Sequence, residues 1–254
     1  MTVKVLICAC CMWLATVVTL RATTARVPTL VVFGDSTTAP RDGVRVYGTL
    51  LQDELTQRLG VPVRVINAGV RGNNTDEANA RLEADVIARH PDLVVIQFGI
   101  NDATIDVWKT PPADQPRVPI ERYTANLKRW VDVLQRRGIR VVLMTPNPLS
   151  WTPRLVELYG RPPYDVADPD GLNVNLNRYA ERVRQIAADI RLPLVDVMKE
   201  HRDHVAHSSE PLLADGIHPN QRGHDLVATR LAEVILREHL VEPPAREQES
   251  APTG

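Results

Sequence analysis

The sequence predicts an α/β fold, a three-layer α/β/α sandwich built on a five-stranded parallel sheet. Two observations carry this. Short apolar, β-branched runs recur at Leu30–Phe33, Val61–Ile66, Leu93–Phe98, Ile139–Met144 and Leu194–Val197. None has a polar alternate face, as expected for parallel strands covered on both sides. Between them lie helical stretches at about 48–59, 75–90, 120–137, 172–190 and 220–240. Five βα units in succession specify a doubly wound sheet.

Punctuation along the chain supports each element in turn. The first strand runs into Gly34-Asp35-Ser36-Thr37, a turn that leads toward the helix at 48–59. Asn74 followed by Asp76 and Glu77 supplies a cap and first-turn acids for the helix at 75–90, and His90-Pro91 stops it. Arg136 and Arg137 place cations at the carboxyl end of the helix at 120–137, where they complement its dipole. Pro219 opens the last helix at a position where its missing N–H costs nothing.

Composition narrows the function classes. The 254 residues are 44% hydrophobic and 24% charged, enough to bury a sizeable core. Lys and Arg total 30 against 31 Asp and Glu. That balance gives no polybasic footprint for nucleic acid. The apolar run Val5–Leu20 follows Lys4 and precedes Arg21 and the small-residue stretch Ala22–Ala25. It reads as a secretory signal peptide over 1–25, short of the roughly 20 residues that span a bilayer comfortably. A retained membrane anchor, or acylation at Cys10 or Cys11, is the alternative. The expected location is periplasmic or extracellular, without stable membrane insertion after cleavage. All three cysteines, Cys8, Cys10 and Cys11, fall in this segment. The exported chain therefore has no thiol nucleophile, Cys-type zinc site or iron–sulfur cluster. Its chemistry must come from oxygen and nitrogen groups. The main domain is expected at 26–241, with a polar, proline-bearing and disordered tail at 242–254.

Two segments exceed ordinary loop length, Ala103–Pro119 and Pro146–Gly171, and together they hold ten of the 20 prolines. Both leave the carboxyl ends of strands, where open α/β sheets build their ligand crevice. They carry Trp108, Trp151, Tyr159 and Tyr164. Of these, Trp108, Trp151 and Tyr164 could offer flat faces to sugar rings.

Four blocks at successive strand ends carry candidate chemistry. Phe33-Gly34-Asp35-Ser36-Thr37 presents a serine in a strand-to-helix turn, near amides that favour developing negative charge. A helix-capping serine is the plainer reading. Asn67-Ala68-Gly69-Val70-Arg71-Gly72-Asn73-Asn74-Thr75 is either a close backbone approach to a ligand or an ordinary βα turn. Gly99-Ile100-Asn101-Asp102 offers a side-chain amide to an oxyanion, or simply a turn. Asp215-Gly216-Ile217-His218-Pro219 sets a carboxylate and an imidazole on one side of a tight bend, as a serine's base requires. A solvated turn is the alternative there.

Taken together, in this order, the blocks resemble the SGNH (GDSL) family of serine hydrolases from about Thr29 to Leu240. The resemblance implies a flavodoxin-like SGNH-hydrolase fold and a serine esterase. It implies Ser36 as nucleophile, His218 as general base and then acid, and Asp215 as the partner that orients it. It further implies an oxyanion hole of the Ser36 N–H, the Gly72 N–H and the Asn101 side chain, with Asp35 and Asp102 bracing the loops. No metal or organic cofactor is implied. The expected substrate is a small-molecule or glycan ester, above all an acetylated carbohydrate. A lysophospholipase or other lipid or aryl esterase is the alternative, and a catalytically idle glycan-binding module a third reading.

Several residues outside these blocks carry weaker signals. His201, His204 and His207 recur every three residues and could hold zinc, but the surrounding charge favours a solvated helical face. His224 reads as a packing or loop-bonding residue. Arg154 and Arg161 read as solvated arginines, with an anion contact as the alternative.

Overall fold

The computed structural model describes residues 26–242. The segment read as a signal peptide, with its cysteines, and the tail beyond Glu242 lie outside the described residues. Elements follow the predicted alternation: β1 (Thr29–Gly34), α1 (Tyr47–Leu59), β2 (Arg64–Gly69), α2 (Thr75–Asn79), α3 (Leu82–Asp85), β3 (Leu93–Gln97) and α4 (Ile100–Ala103). They continue with α5 (Ile120–Gln135), β4 (Arg140–Met144), α6 (Pro153–Tyr159), α7 (Leu176–Asp189), β5 (Leu194–Val195), α8 (Val197–His207) and α9 (Gln221–Arg237).

All strand pairs are parallel, in the order β2-β1-β3-β4-β5. This is the flavodoxin-like order, in which the connections diverge between β1 and β3. The pleat divides the core in two. Val31, Phe33, Val94, Ile96, Val141 and Leu143 face α5 and α7 through Tyr123, Leu127, Trp130, Tyr179 and Val183. Leu30, Val32, Leu93, Val95, Val142 and Met144 face α1 and α9 through Leu51, Leu55, Val227 and Leu231. Helices thus cover both faces of the sheet. A third, smaller cluster of Ile105, Val107, Leu155, Tyr164 and Leu172 packs the two long loops against each other.

Four expectations are corrected. The helix expected at 75–90 is broken into α2, α3 and a 3-10 turn at Ile87–Arg89. The break falls where Arg81 turns inward, donating to Gly34 O at 2.9 Å, Ala68 O at 2.6 Å and Asn73 Oδ1 at 2.6 Å. Its guanidinium also lies 4.6 Å from the centroid of the Phe33 ring. Strand β2 starts at Arg64, later than Val61, and as an edge strand it is largely half-buried. Strand β5 ends at Val195 because Asp196 caps α8, its carboxylate accepting from Lys199 N at 3.1 Å. Finally, the second long loop contains α6, capped by Thr152 and opened by Pro153.

Arg81 joins the ends of two strands to the loop after β2, so its loss would take a charged donor from three acceptors, of which Gly34 O keeps only Val70 N at 3.1 Å. Arg81→Met is expected to lower the free energy of unfolding by about 2–4 kcal/mol. Urea denaturation measures this, and a change within about 0.5 kcal/mol would contradict it.

Candidate active site

The carboxyl ends of the strands are tied sideways by polar side chains. From β2, Asn67 Nδ2 donates to Thr38 O at 2.7 Å. Gln97, at the end of β3, brings Oε1 to 3.4 Å from Thr37 Oγ1, a weak contact beside that hydroxyl's main bond, and donates to Thr145 O at 3.2 Å. Past β4, Thr145 Oγ1 donates to Asp196 Oδ1 at 3.1 Å. Asn147 Nδ2 then reaches Ile217 O at 2.9 Å, in the turn that carries His218. Every loop bearing a candidate residue stands on this belt.

Ser36 follows β1 at the divergence point of the sheet. Gly34 is required before it, since a Cβ there would lie 2.0 Å from Thr38 Oγ1 and 2.9 Å from Gln97 O. Asp35 is buried, and its Oδ1 accepts from Thr37 N and Thr37 Oγ1, both at 2.8 Å, which shapes the turn. His218 Nε2 lies 3.0 Å from Ser36 Oγ, and His218 Nδ1 lies 2.7 Å from Asp215 Oδ2. Asp215 Oδ1 accepts from the backbone of Ile217 and His218 at 3.0 and 2.8 Å. Burial pushes the Asp215 carboxyl up, but these bonds from His218 and Ile217 outweigh it and hold it below the usual carboxylate range. An ionised Asp215 only accepts, so Nδ1 carries the ring proton and Nε2 faces the serine as an acceptor. Gly216 closes the turn with φ +84°, and a Cβ there would meet Ser150 O at 2.4 Å.

Gly72 and Asn101 face the same cavity as Ser36 and His218. Among the described residues, the N–H groups of Ser36 and Gly72 donate to no protein acceptor. Asn101 Nδ2 donates to Asn73 O at 3.0 Å, and its Oδ1 accepts from Arg117 Nη1 at 3.1 Å. The capping box of Asn74 and Glu77 fixes the start of α2 just beyond Gly72. Asp102 is buried beneath, its Oδ1 accepting from Thr75 N at 2.8 Å and Thr75 Oγ1 at 2.6 Å. Asp35 and Asp102 thus sit where loop-bracing residues were expected.

The cavity measures about 430 Å³, within the range of small-molecule sites. The two long loops do wall it, through Thr104, Arg117, Leu149, Leu155, Tyr159 and Tyr164. Of the three aromatics expected to contact substrate, only Tyr164 lines it. Tyr164 is itself 7% exposed, its hydroxyl accepting from Ile105 N at 2.8 Å. Trp108 and Trp151 do not line it. Trp108 is solvent-exposed beside Lys109, and Trp151 spends its indole N–H on Asp168 O at 3.1 Å. The second loop turns Leu149 and Leu155 toward the cavity and leaves most of its prolines and acids exposed, which composition could not reveal. Sequence reasoning missed the arginines of the rim, Arg41, Arg71 and Arg117, of which only Arg71 had a signal, its place beside Gly72. Arg154 pairs with Glu157 away from the cavity.

The histidine series divides. His207 is exposed and His204 half-buried, but His201 is 2% exposed, which corrects the expectation of a solvated face. Burial pushes its imidazole down to about 4. His224 is likewise buried, and its Nδ1 accepts from Tyr47 N at 3.3 Å.

Comparison with known proteins agrees with this geometry. The model of the GDSL-like lipase/acylhydrolase family matches residues 32–226. An acetylxylan esterase of Geobacillus stearothermophilus is 29% identical over 180 residues, covering 69% of this chain and 72% of its own. A rat isoamyl acetate-hydrolyzing esterase 1 homolog is 30% identical over 216 residues, covering 79% and 78%. A crystal structure of an acetylxylan esterase from Geobacillus stearothermophilus superposes with TM-score 0.65 at 25% identity, over 82% of this chain and 94% of that one.

Desolvation raises the Asp102 carboxyl from 3.8 to about 7, against the lowering bonds from Thr75. The folded chain therefore keeps a proton that the unfolded chain sheds, and the stabilising contribution of Asp102 declines as pH rises from about 4 to 7. Asp102→Asn keeps the acceptor and cannot ionise. Relative to the wild type, this variant is expected to gain stability across that window, by on the order of a few kcal/mol. Urea unfolding at several pH values measures the gap, and a gap independent of pH would contradict the assignment.

Proposed function

The chain belongs to the GDSL-like lipase/acylhydrolase family and is a carboxylic ester hydrolase; within that class we propose an exported serine esterase that removes small acyl groups, acetyl above all, from a carbohydrate. The observation that carries the mechanism is the chain of contacts from Asp215 to His218 to Ser36, at 2.7 and 3.0 Å, opening on a cavity lined by unused donors.

Ser36 Oγ attacks the acyl carbonyl carbon while His218 Nε2 takes its proton, and Asp215 supports the resulting imidazolium. The carbonyl oxygen becomes an oxyanion held by the N–H groups of Ser36 and Gly72 and by Asn101 Nδ2. As the tetrahedral intermediate collapses, His218 returns the proton to the departing alcohol and an acyl-enzyme remains on Ser36. A water molecule, deprotonated by His218, repeats the attack and frees the acid. These steps ask for no metal or organic cofactor.

Support for an acetyl substrate is twofold. Two relatives are named for acetyl esters, an acetylxylan esterase and an isoamyl acetate-hydrolyzing esterase homolog. The first of these names also supports a carbohydrate as the acyl carrier. Export rests on the apolar segment Val5–Leu20, which lies outside the described residues. Among the described residues no helix is long and apolar enough to cross a membrane. A second reading, a lipid or aryl esterase, is favoured by one feature. Ile100, Leu149, Leu155, Leu172 and Ile217 give the cavity an apolar wall that could hold a longer acyl chain or a ring.

Hydrolysis of 4-nitrophenyl esters from acetate to palmitate separates the two readings. Activity is expected to peak at acetate and to vanish in Ser36→Ala. A peak at the long-chain end would bring the lipid reading forward. In the same assay Asn101→Ala is expected to lose about 10²–10³-fold in kcat. Near-normal turnover by that variant would remove Asn101 from the oxyanion hole.

A further inference from the structure

Arg117 sits in the first long loop, outside all four sequence blocks, yet its guanidinium is shared between the buried carboxylate of Asp106 and the side chain of Asn101. Nε and Nη2 form a fork on Asp106 at 3.1 and 2.7 Å, and Nη1 donates to Asn101 Oδ1 at 3.1 Å. Asp106 is 3% exposed and takes a second ion pair from Lys109 at 2.7 Å. Burial pushes the Asp106 carboxyl up, but Arg117 and Lys109 outweigh it and hold the group ionised. The loop backbone is anchored independently of these side chains. Arg117 N donates to Thr104 O at 3.0 Å and Val118 N to Asp102 O at 3.1 Å.

This arrangement decides which way the Asn101 amide faces. A guanidinium offers only donors, so the atom opposite Nη1 must be the amide oxygen. A backbone carbonyl offers only an acceptor, so the atom opposite Asn73 O must be the amide nitrogen. Both ends of the amide are thereby assigned, and one Nδ2 hydrogen is left for the cavity. With Arg117 absent, Asn73 alone holds the amide. A turned amide would present its oxygen to a developing oxyanion and repel it. Donation to Oδ1 also draws electron density from the amide and sharpens Nδ2–H as a donor.

We propose that Arg117, seated on Asp106, is a positioning residue that locks the Asn101 amide with its N–H toward the reacting carbonyl. The proposal rests on the reading of Asn101 as an oxyanion donor. Lysine cannot replace arginine here, because one ammonium cannot fork onto Asp106 and reach Asn101 together.

The test is a double-substitution cycle in steady-state hydrolysis of 4-nitrophenyl acetate. Arg117→Met is expected to lower kcat by roughly 10–100-fold with KM little changed, as a misplaced group near the chemistry does. Arg117→Lys is expected not to restore it. In the Asn101→Ala background, Arg117→Met is expected to add less than about threefold, since its target is gone. Because Arg117→Met leaves Asp106 buried without its main partner, Arg117→Met combined with Asp106→Leu serves as a second variant, with the same loss expected. An unchanged kcat in Arg117→Met, or losses that multiply with those of Asn101→Ala, would overturn the proposal while leaving Asn101 in place. An unchanged kcat in Asn101→Ala alone would overturn the underlying reading and the proposal with it.

Discussion

Polar groups at the carboxyl edge of a parallel sheet cannot be left unpaired, and this protein meets that constraint with a belt of side chains running across the sheet. Asn67, Thr37, Gln97, Thr145 and Asp196 link the five strand ends in spatial order. A buried unpaired group would cost about 1–3 kcal/mol, so each link constrains the loop it holds. Because the strand connections diverge between β1 and β3, the belt encloses a crevice there. Ser36 leaves from β1, Asn101 from β3, and Asn147 ties in the turn that brings His218 to meet them.

Rigidity at this edge gives the chemistry its precision. Ser36 is aimed by a turn that Asp35 bonds from below, and His218 is aimed by a turn closed around Asp215. Two carboxylates buried under the site, Asp35 and Asp102, are an unfavourable choice for a core and a useful one for loops that must not move. Desolvation raises the carboxyl group of each, while bonds from Thr37 and Thr75 oppose the shift. The fold thus carries an electrostatic strain at the place where it needs fixed geometry, as functional sites commonly do.

How much of this is legible in the sequence follows from distance along the chain. Strands and most helices are readable because apolar runs and caps are local signals. Even so, Arg81 breaks a predicted helix by bonding carbonyls on β1 and β2, an interaction no periodicity records. Ser36, Gly72, Asn101, Asp215 and His218 stand out as short blocks and, apart from Asp215 behind His218, line one cavity. Trp108 and Trp151 mislead because aromatic content says what a loop contains and nothing about which side faces inward. His201 looks solvated in sequence because its charged neighbours dominate the local pattern, although it is buried. Arg117 leaves no signal, since its partners matter only once the loop has folded back on α4.

The central claim is that Ser36 is a nucleophile activated by His218. Covalent labelling with an organophosphonate, followed by mass spectrometry of the modified peptide, tests it most directly. One equivalent of label is expected on Ser36, none in Ser36→Ala, and strongly slowed labelling in His218→Ala. A label carried by a different residue, or full-rate labelling of Ser36 without His218, would contradict it.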